Sequence, residues 1–137
     1  MASLLLTACS SGTWQGYHVA SPSVLPKMPS GLRVQVLPHD GRRDCEGPWC
    51  TRYALVTGQA KTDQTVLQEL EAAFRRKGWT EPQPSDATST TTTGTLECRP
   101  GYSVAIDTAG DPMLLALSKH SEHGRPTAVL ELLPRSC

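Results

Sequence analysis

Thr62-Asp63-Gln64-Thr65-Val66-Leu67-Gln68-Glu69-Leu70-Glu71-Ala72-Ala73-Phe74-Arg75-Arg76-Lys77-Gly78-Trp79 is the one clearly amphipathic segment of a 137-residue chain. Val66, Leu67, Leu70, Ala73 and Phe74 recur at three- and four-residue intervals, so a helix over about 63–77 would gather them into one apolar stripe. Thr62 or Asp63 can cap its first N–H groups. Gly78 can adopt the left-handed conformation that ends a helix, which makes Phe74 and Trp79 the hydrophobic pair of a Schellman cap. Arg75, Arg76 and Lys77 then sit at the negative end of the helix dipole, a placement that needs no ligand to explain it.

On either side of this helix the apolar residues change period. Leu32–Val36 alternates as a half-buried strand does, and Pro38 ends it; Tyr53–Thr57 reads as a second strand closed by Gly58. Beyond the helix, strand-length runs at 95–98, 102–106, 113–117 and 127–132 are separated by turn residues such as Gly110-Asp111 and the stretch from His120 to Gly124. One helix among several antiparallel strands predicts a two-layer α+β domain, the helix stripe covering the apolar face of the sheet. The domain is expected over 32–137, with a Thr-rich loop at 80–94 that has too few apolar residues to offset the entropy of ordering. Its run of threonines resembles the O-glycosylated segments of some bacterial lipoproteins, with a bare loop as the alternative.

Composition narrows the function classes. The formal charge is +0, from 13 basic and 13 acidic residues, so no global field attracts nucleic acid. No apolar run approaches the roughly 20 residues needed to cross a bilayer as a helix. Residues 9–31 carry Pro22, Pro26 and Pro29 among serines and other small residues, and read as a flexible tether that would reach on the order of 70 Å if fully extended. Trp14, Tyr17 and His18 interrupt that tether, either to dock on a partner or on lipid headgroups, or to fold back onto the domain.

The start of the chain supplies a compartment. Leu4-Leu5-Leu6-Thr7-Ala8-Cys9 resembles the lipobox of bacterial lipoproteins, and Ser10-Ser11-Gly12 is similar to the small, polar start of their mature chains. The resemblance implies that residues 1–8 are the remnant of a signal peptide and that the Cys9 thiol carries a diacylglyceryl group. It further implies that the protein is held on the extracytoplasmic face of a cell membrane. The abundance of arginine, proline and threonine resembles the bias of high-GC bacteria.

Setting Cys9 aside leaves Cys45, Cys50, Cys98 and Cys137, an even number that can pair fully in an oxidising envelope. Of the three pairings, Cys45 with Cys50 is favoured because Gly47-Pro48 offers a turn between them, which leaves Cys98 to join Cys137. The Cys45/Cys50 spacing and the lack of a nearby His pair argue against zinc. Trp49, between Pro48 and Cys50, would be held outward by a disulfide-closed loop, where a rigid indole suits recognition; the alternative is a lid on one end of the core.

Chemistry is sparse. Gly101-Tyr102-Ser103-Val104-Ala105 superficially resembles a nucleophile elbow, but its serine falls within an alternating strand and not at a strand-to-helix turn. His120 and His123 fall in a loop, and Asp40, Asp44 and Glu46 near His39 have no catalytic spacing. No catalytic residue, metal or cofactor is therefore assigned. The expected function is a non-catalytic interaction module or accessory subunit of an envelope complex. It would touch the bilayer through Cys9 and an envelope protein through Trp49, Trp14 and Tyr17. A small-ligand- or metal-binding lipoprotein is the alternative, and an envelope enzyme the least favoured.

Overall fold

The computed structural model describes residues 11–14, 17–38, 45–80, 94–99, 101–108 and 111–134. The protein is α+β, with mostly antiparallel strands and, among the described residues, two α-helices. The expected signal remnant, Cys9, Cys137 and the threonine run lie outside the described residues.

A five-stranded sheet forms the centre. Its strands are β3 (Leu32–Val36), β6 (Arg52–Gly58), β7 (Gly94–Arg99), β8 (Tyr102–Asp107) and β9 (Ala128–Leu133). They are ordered β3-β6-β9-β8-β7, and every neighbour is antiparallel. The last strand in sequence is thus inserted at the middle, and its composition suits that position: Ala128, Val129, Leu130 and Leu132 are all buried. A strand covered on both faces reads as a continuous apolar run, whereas an edge strand such as β3 keeps its alternation.

Helix α1 (Asp63–Arg76) lies on one face. Thr62 caps it, its hydroxyl accepting the Thr65 N–H at 3.2 Å. Val66, Leu70 and Phe74 from the predicted stripe pack against Ala54, Val56, Val104, Ile106, Leu130 and Leu132 of the sheet. The far end is a Schellman motif. Gly78 stands at φ +100°, the Trp79 N–H donates to the Phe74 carbonyl at 3.1 Å, and the Gly78 N–H donates to the Arg75 carbonyl at 3.0 Å. Phe74 and Trp79 meet edge-to-face with centroids 5.2 Å apart, and Trp79 is only 2% exposed. The basic residues at this end have defined partners: Arg75 pairs with the buried Glu97 at 3.2 Å, and the Lys77 ammonium donates to the Ser23 and Leu25 carbonyls at 2.7 Å each.

Two expectations are corrected. Residues 113–117 are not a strand but the core of helix α2 (Pro112–Leu117). Asp111 caps it by accepting the Met113 N–H at 2.8 Å, and Pro112 stands at N1, where its missing donor is not needed. A short apolar run does not distinguish strand from helix by period alone, and this one contains no β-branched residue. It covers the opposite face of the sheet, where Leu114, with Met113 and Leu117, packs on Leu37, Leu55 and Val129.

The second correction concerns the tether. Residues 17–31 are packed onto the domain: Ala20 and Val24 belong to the α1-side core, with Leu25 and Met28 against it. A 3-10 turn at Pro22–Val24, capped by Ser21, turns the chain, and Lys77 fixes the Ser23 carbonyl within it and the Leu25 carbonyl after it. Proline there sets backbone angles in a docked segment instead of stiffening a free one.

Candidate interaction surface

The same N-terminal segment builds a second, smaller sheet. Strands β1 (Ser11–Trp14) and β2 (Tyr17–Ala20) form an antiparallel pair, and β4 (Cys45–Glu46) and β5 (Trp49–Cys50) form another. They join through a parallel contact, in the order β1-β2-β5-β4, with His18 opposite Trp49 and Val19 opposite Cys50. The His18 N–H donates to the Pro48 carbonyl at 2.6 Å.

The β4–β5 hairpin contains only two residue pairs, too little pairing to hold itself. Gly47, at φ +61°, supplies the left-handed turn position, and the Cys45–Cys50 disulfide closes the ends, as the Gly47-Pro48 turn implies. On its inner side Cys50 is fully buried, as is Ala20, with Val19 nearly so, and this ties the hairpin to the domain. Glu46, Gly47, Pro48 and Trp49 are exposed.

Trp49 is 43% exposed. Its indole lies on the His18 imidazole, with centroids 4.6 Å apart and planes at 26°. One face of the ring is thus backed by a neighbour and the remainder meets solvent, a position intermediate between core lid and free side chain. Trp14 and Tyr17 are register partners in the same sheet, so all three residues expected to touch a partner belong to one structural unit. That unit was not legible in sequence, because the strands it joins are some thirty residues apart and each is only two to four residues long.

Elsewhere the described residues offer little chemistry. Cys45 and Cys50 are bonded to each other, and Cys98, buried at the edge of the sheet, is also in a disulfide. Its expected partner Cys137 lies outside the described residues. Among the described residues no group of three His, Cys, Asp or Glu side chains converges as a metal site. Ser103 lies buried within β8, and His120 and His123 are exposed. The loop carrying them is held by Gln35, whose side-chain amide donates to the His120 carbonyl and accepts the Glu122 N–H. His39, Asp40 and Asp44 are outside the described residues.

Sequence reading missed a carboxyl pair on the α2 side of the sheet, buried Asp107 with half-buried Glu131. Asp107 is fully buried, and as a carboxylate neither of its oxygens meets a donor. Burial pushes its carboxyl above the usual aspartate range; a side-chain hydrogen bond with Glu131 opposes this and the charge of Asp111 adds to it. Two carboxyl groups share a hydrogen bond only when one of them is protonated. In sequence, Asp107 and Glu131 look like ordinary polar positions in alternating strands.

A groove of about 630 Å³ runs beside α2, lined among others by Asp63, Asp111, Leu114, Leu115 and Arg125. Leu115 in it is 79% exposed. Among the described residues no helix is long and apolar enough to cross a membrane. Compared with known protein families, with characterised proteins and with solved structures, the chain matches none.

Proposed function

We propose that this protein is a membrane-anchored extracytoplasmic lipoprotein, acylated at Cys9, that works as a non-catalytic interaction module of the cell envelope through the Trp49 hairpin. The observation that carries the contact is Trp49 itself, 43% exposed on a hairpin closed by a disulfide and stacked on His18. A large indole held in place before binding loses little freedom on association, and tryptophan is enriched among the few residues that dominate binding energy. The anchoring is supported by Leu4–Cys9 and by the small residues that follow.

The test uses the chain expressed behind a complete export signal. Membrane-derived protein should carry acyl mass on Cys9, and Cys9→Ala should release it from the membrane; unmodified Cys9 in that fraction would remove the anchoring from the reading. Trp49→Ala should leave the melting temperature nearly unchanged while weakening envelope contact by roughly 2 kcal/mol. A loss of a few kcal/mol of stability with contact intact would make Trp49 a core lid instead.

The groove beside α2 favours a second reading, a lipoprotein that binds a small ligand, since it combines the apolar Leu114 and Leu115 with the charged Arg125, Asp63 and Asp111. A ligand that raises the melting temperature of the parent but not of Arg125→Ala would support that reading.

A further inference from the structure

We infer that the surface Trp49 meets is the headgroup layer of the bilayer that carries the anchor; this rests on acylation of Cys9. The argument is one of chain length. Strand β1 begins at Ser11, two residues after Cys9, so no stand-off tether separates the lipid from the folded domain. Two residues span at most about 7 Å. From Ser11 the path to Trp49 is also short: Thr13 is opposite His18, which is opposite Trp49. Two residues along a strand and two strand spacings across amount to about 12 Å. Trp49 therefore lies within roughly 20 Å of the acylated residue.

The hairpin cannot swing away from that position independently. Val19, Ala20 and Cys50 are buried at its base, Ala20 belongs to the main core, and Lys77 fixes the segment that follows. A domain tethered this closely samples the membrane surface at a high effective concentration, in the millimolar range expected for short linkers, so a contact too weak to bind in free solution is populated. The exposed chemistry suits an interface. Tryptophan is enriched at the headgroup level, where its apolar body and N–H donor are both accommodated; beside it Gly47 and Pro48 present no charge, and the acidic side chain on this hairpin is its exposed register partner Glu46. Among the described residues the other exposed large apolar side chain, Leu115, is on α2 and outside this sheet.

The experiment reconstitutes the acylated protein into phosphatidylethanolamine vesicles containing a phospholipid with a nitroxide on its headgroup. Three tryptophans are present; Trp14→Phe leaves Trp49 as the reporter and Trp79, only 2% exposed, as an internal reference for an intact fold. The Trp49 emission should shift to the blue in vesicles and lose most of its intensity to the nitroxide lipid, while the Trp79 emission persists. In Trp14→Phe/Trp49→Phe the quenched component should be absent, and Cys9→Ala added to the same vesicles should show no quenching. Acylated protein whose Trp49 is unquenched would overturn the lipid contact and leave anchoring intact. Quenching of the Cys9→Ala protein would overturn the dependence on the short linker. Absence of acyl mass on Cys9 would instead overturn the anchoring reading itself.

Discussion

Substituting Gly58 tests how closely α1 is pressed onto the sheet. Gly58 ends β6 opposite Leu32, and a Cβ added there would stand 2.7 Å from Val66 Cγ2 and 3.0 Å from Leu32 Cδ2. Val66 is fully buried in the first turns of the helix, and a β-branched side chain in a helix has essentially one rotamer, so it cannot turn aside. Overpacking of this kind costs about 1–3 kcal/mol, while replacing glycine by alanine within a strand returns about 0.5–1 kcal/mol of backbone entropy. Gly58→Ala should therefore destabilise by about 1–2 kcal/mol, where a site with clearance would gain. Val66→Ala removes two methyl groups at about 0.8 kcal/mol each and leaves a cavity, for a loss of about 2 kcal/mol. In the double variant the new Cβ occupies part of that cavity, so the combined loss should fall short of the sum by about 1 kcal/mol. Urea unfolding of the four proteins, with m-values compared, measures this directly. A Gly58→Ala protein at least as stable as the parent, or strict additivity in the cycle, would refute the close approach.

Two further outcomes follow from the polar pair and the hairpin. Because burial raises the folded-state Asp107 carboxyl above its ordinary value, its contribution to stability is complete below the usual aspartate range and is lost as pH rises through the raised value. The melting temperature should thus decline as pH rises above the usual aspartate range, and Asp107→Asn should flatten that decline; an unchanged profile in the variant would exclude the pair as its source. Cys45→Ser/Cys50→Ser should cost about 2 kcal/mol by loop entropy and remove the near-ultraviolet circular dichroism expected of the His18–Trp49 stack, with the α1 core retained. Global unfolding of that variant would show that the small sheet is integral to the core.

What could be read from the sequence was whatever a local period or a fixed offset encodes. The bounds of β3 and the whole C-terminal cap of α1 follow from residues within a few positions of one another. The Cys45–Cys50 closure is equally local. Gly58 looks like a strand terminator when only its neighbours are seen; its nearest contact, Val66, is made by the fold. Asp107 and Glu131 become a pair only through the register of β8 against β9, and His18 meets Trp49 only through a parallel contact between strands far apart in sequence. Non-local pairing of this kind leaves no periodic trace. Met113–Leu117 is a different failure, since the helix signals Asp111 and Pro112 were present and the apolar run outweighed them.

The misread tether has the largest functional consequence. A serine- and proline-rich stretch is disordered only if it cannot bury enough apolar surface to offset the entropy of ordering. Here Ala20, Val24, Leu25 and Met28 supply that surface, and Lys77 accepts the role of fixing two of the segment's carbonyls. Each proline also lowers the entropy of the unfolded segment, so less burial suffices to dock it. With the segment docked, the lipid proposed on Cys9 would be joined to a folded domain instead of to a flexible leash. A leash of the reach expected from residues 9–31 would let every face of the domain meet the membrane in turn. A two-residue connection selects one face, and the sheet that includes β1 is the face it selects. Under the proposed acylation, the orientation of this domain at a membrane would be set by the register Thr13–His18–Trp49 and not by the composition of its N-terminus. Lengthening the connection by inserting glycine and serine after Cys9 should accordingly weaken the Trp49–headgroup contact without altering acylation or folding, because only the effective concentration changes.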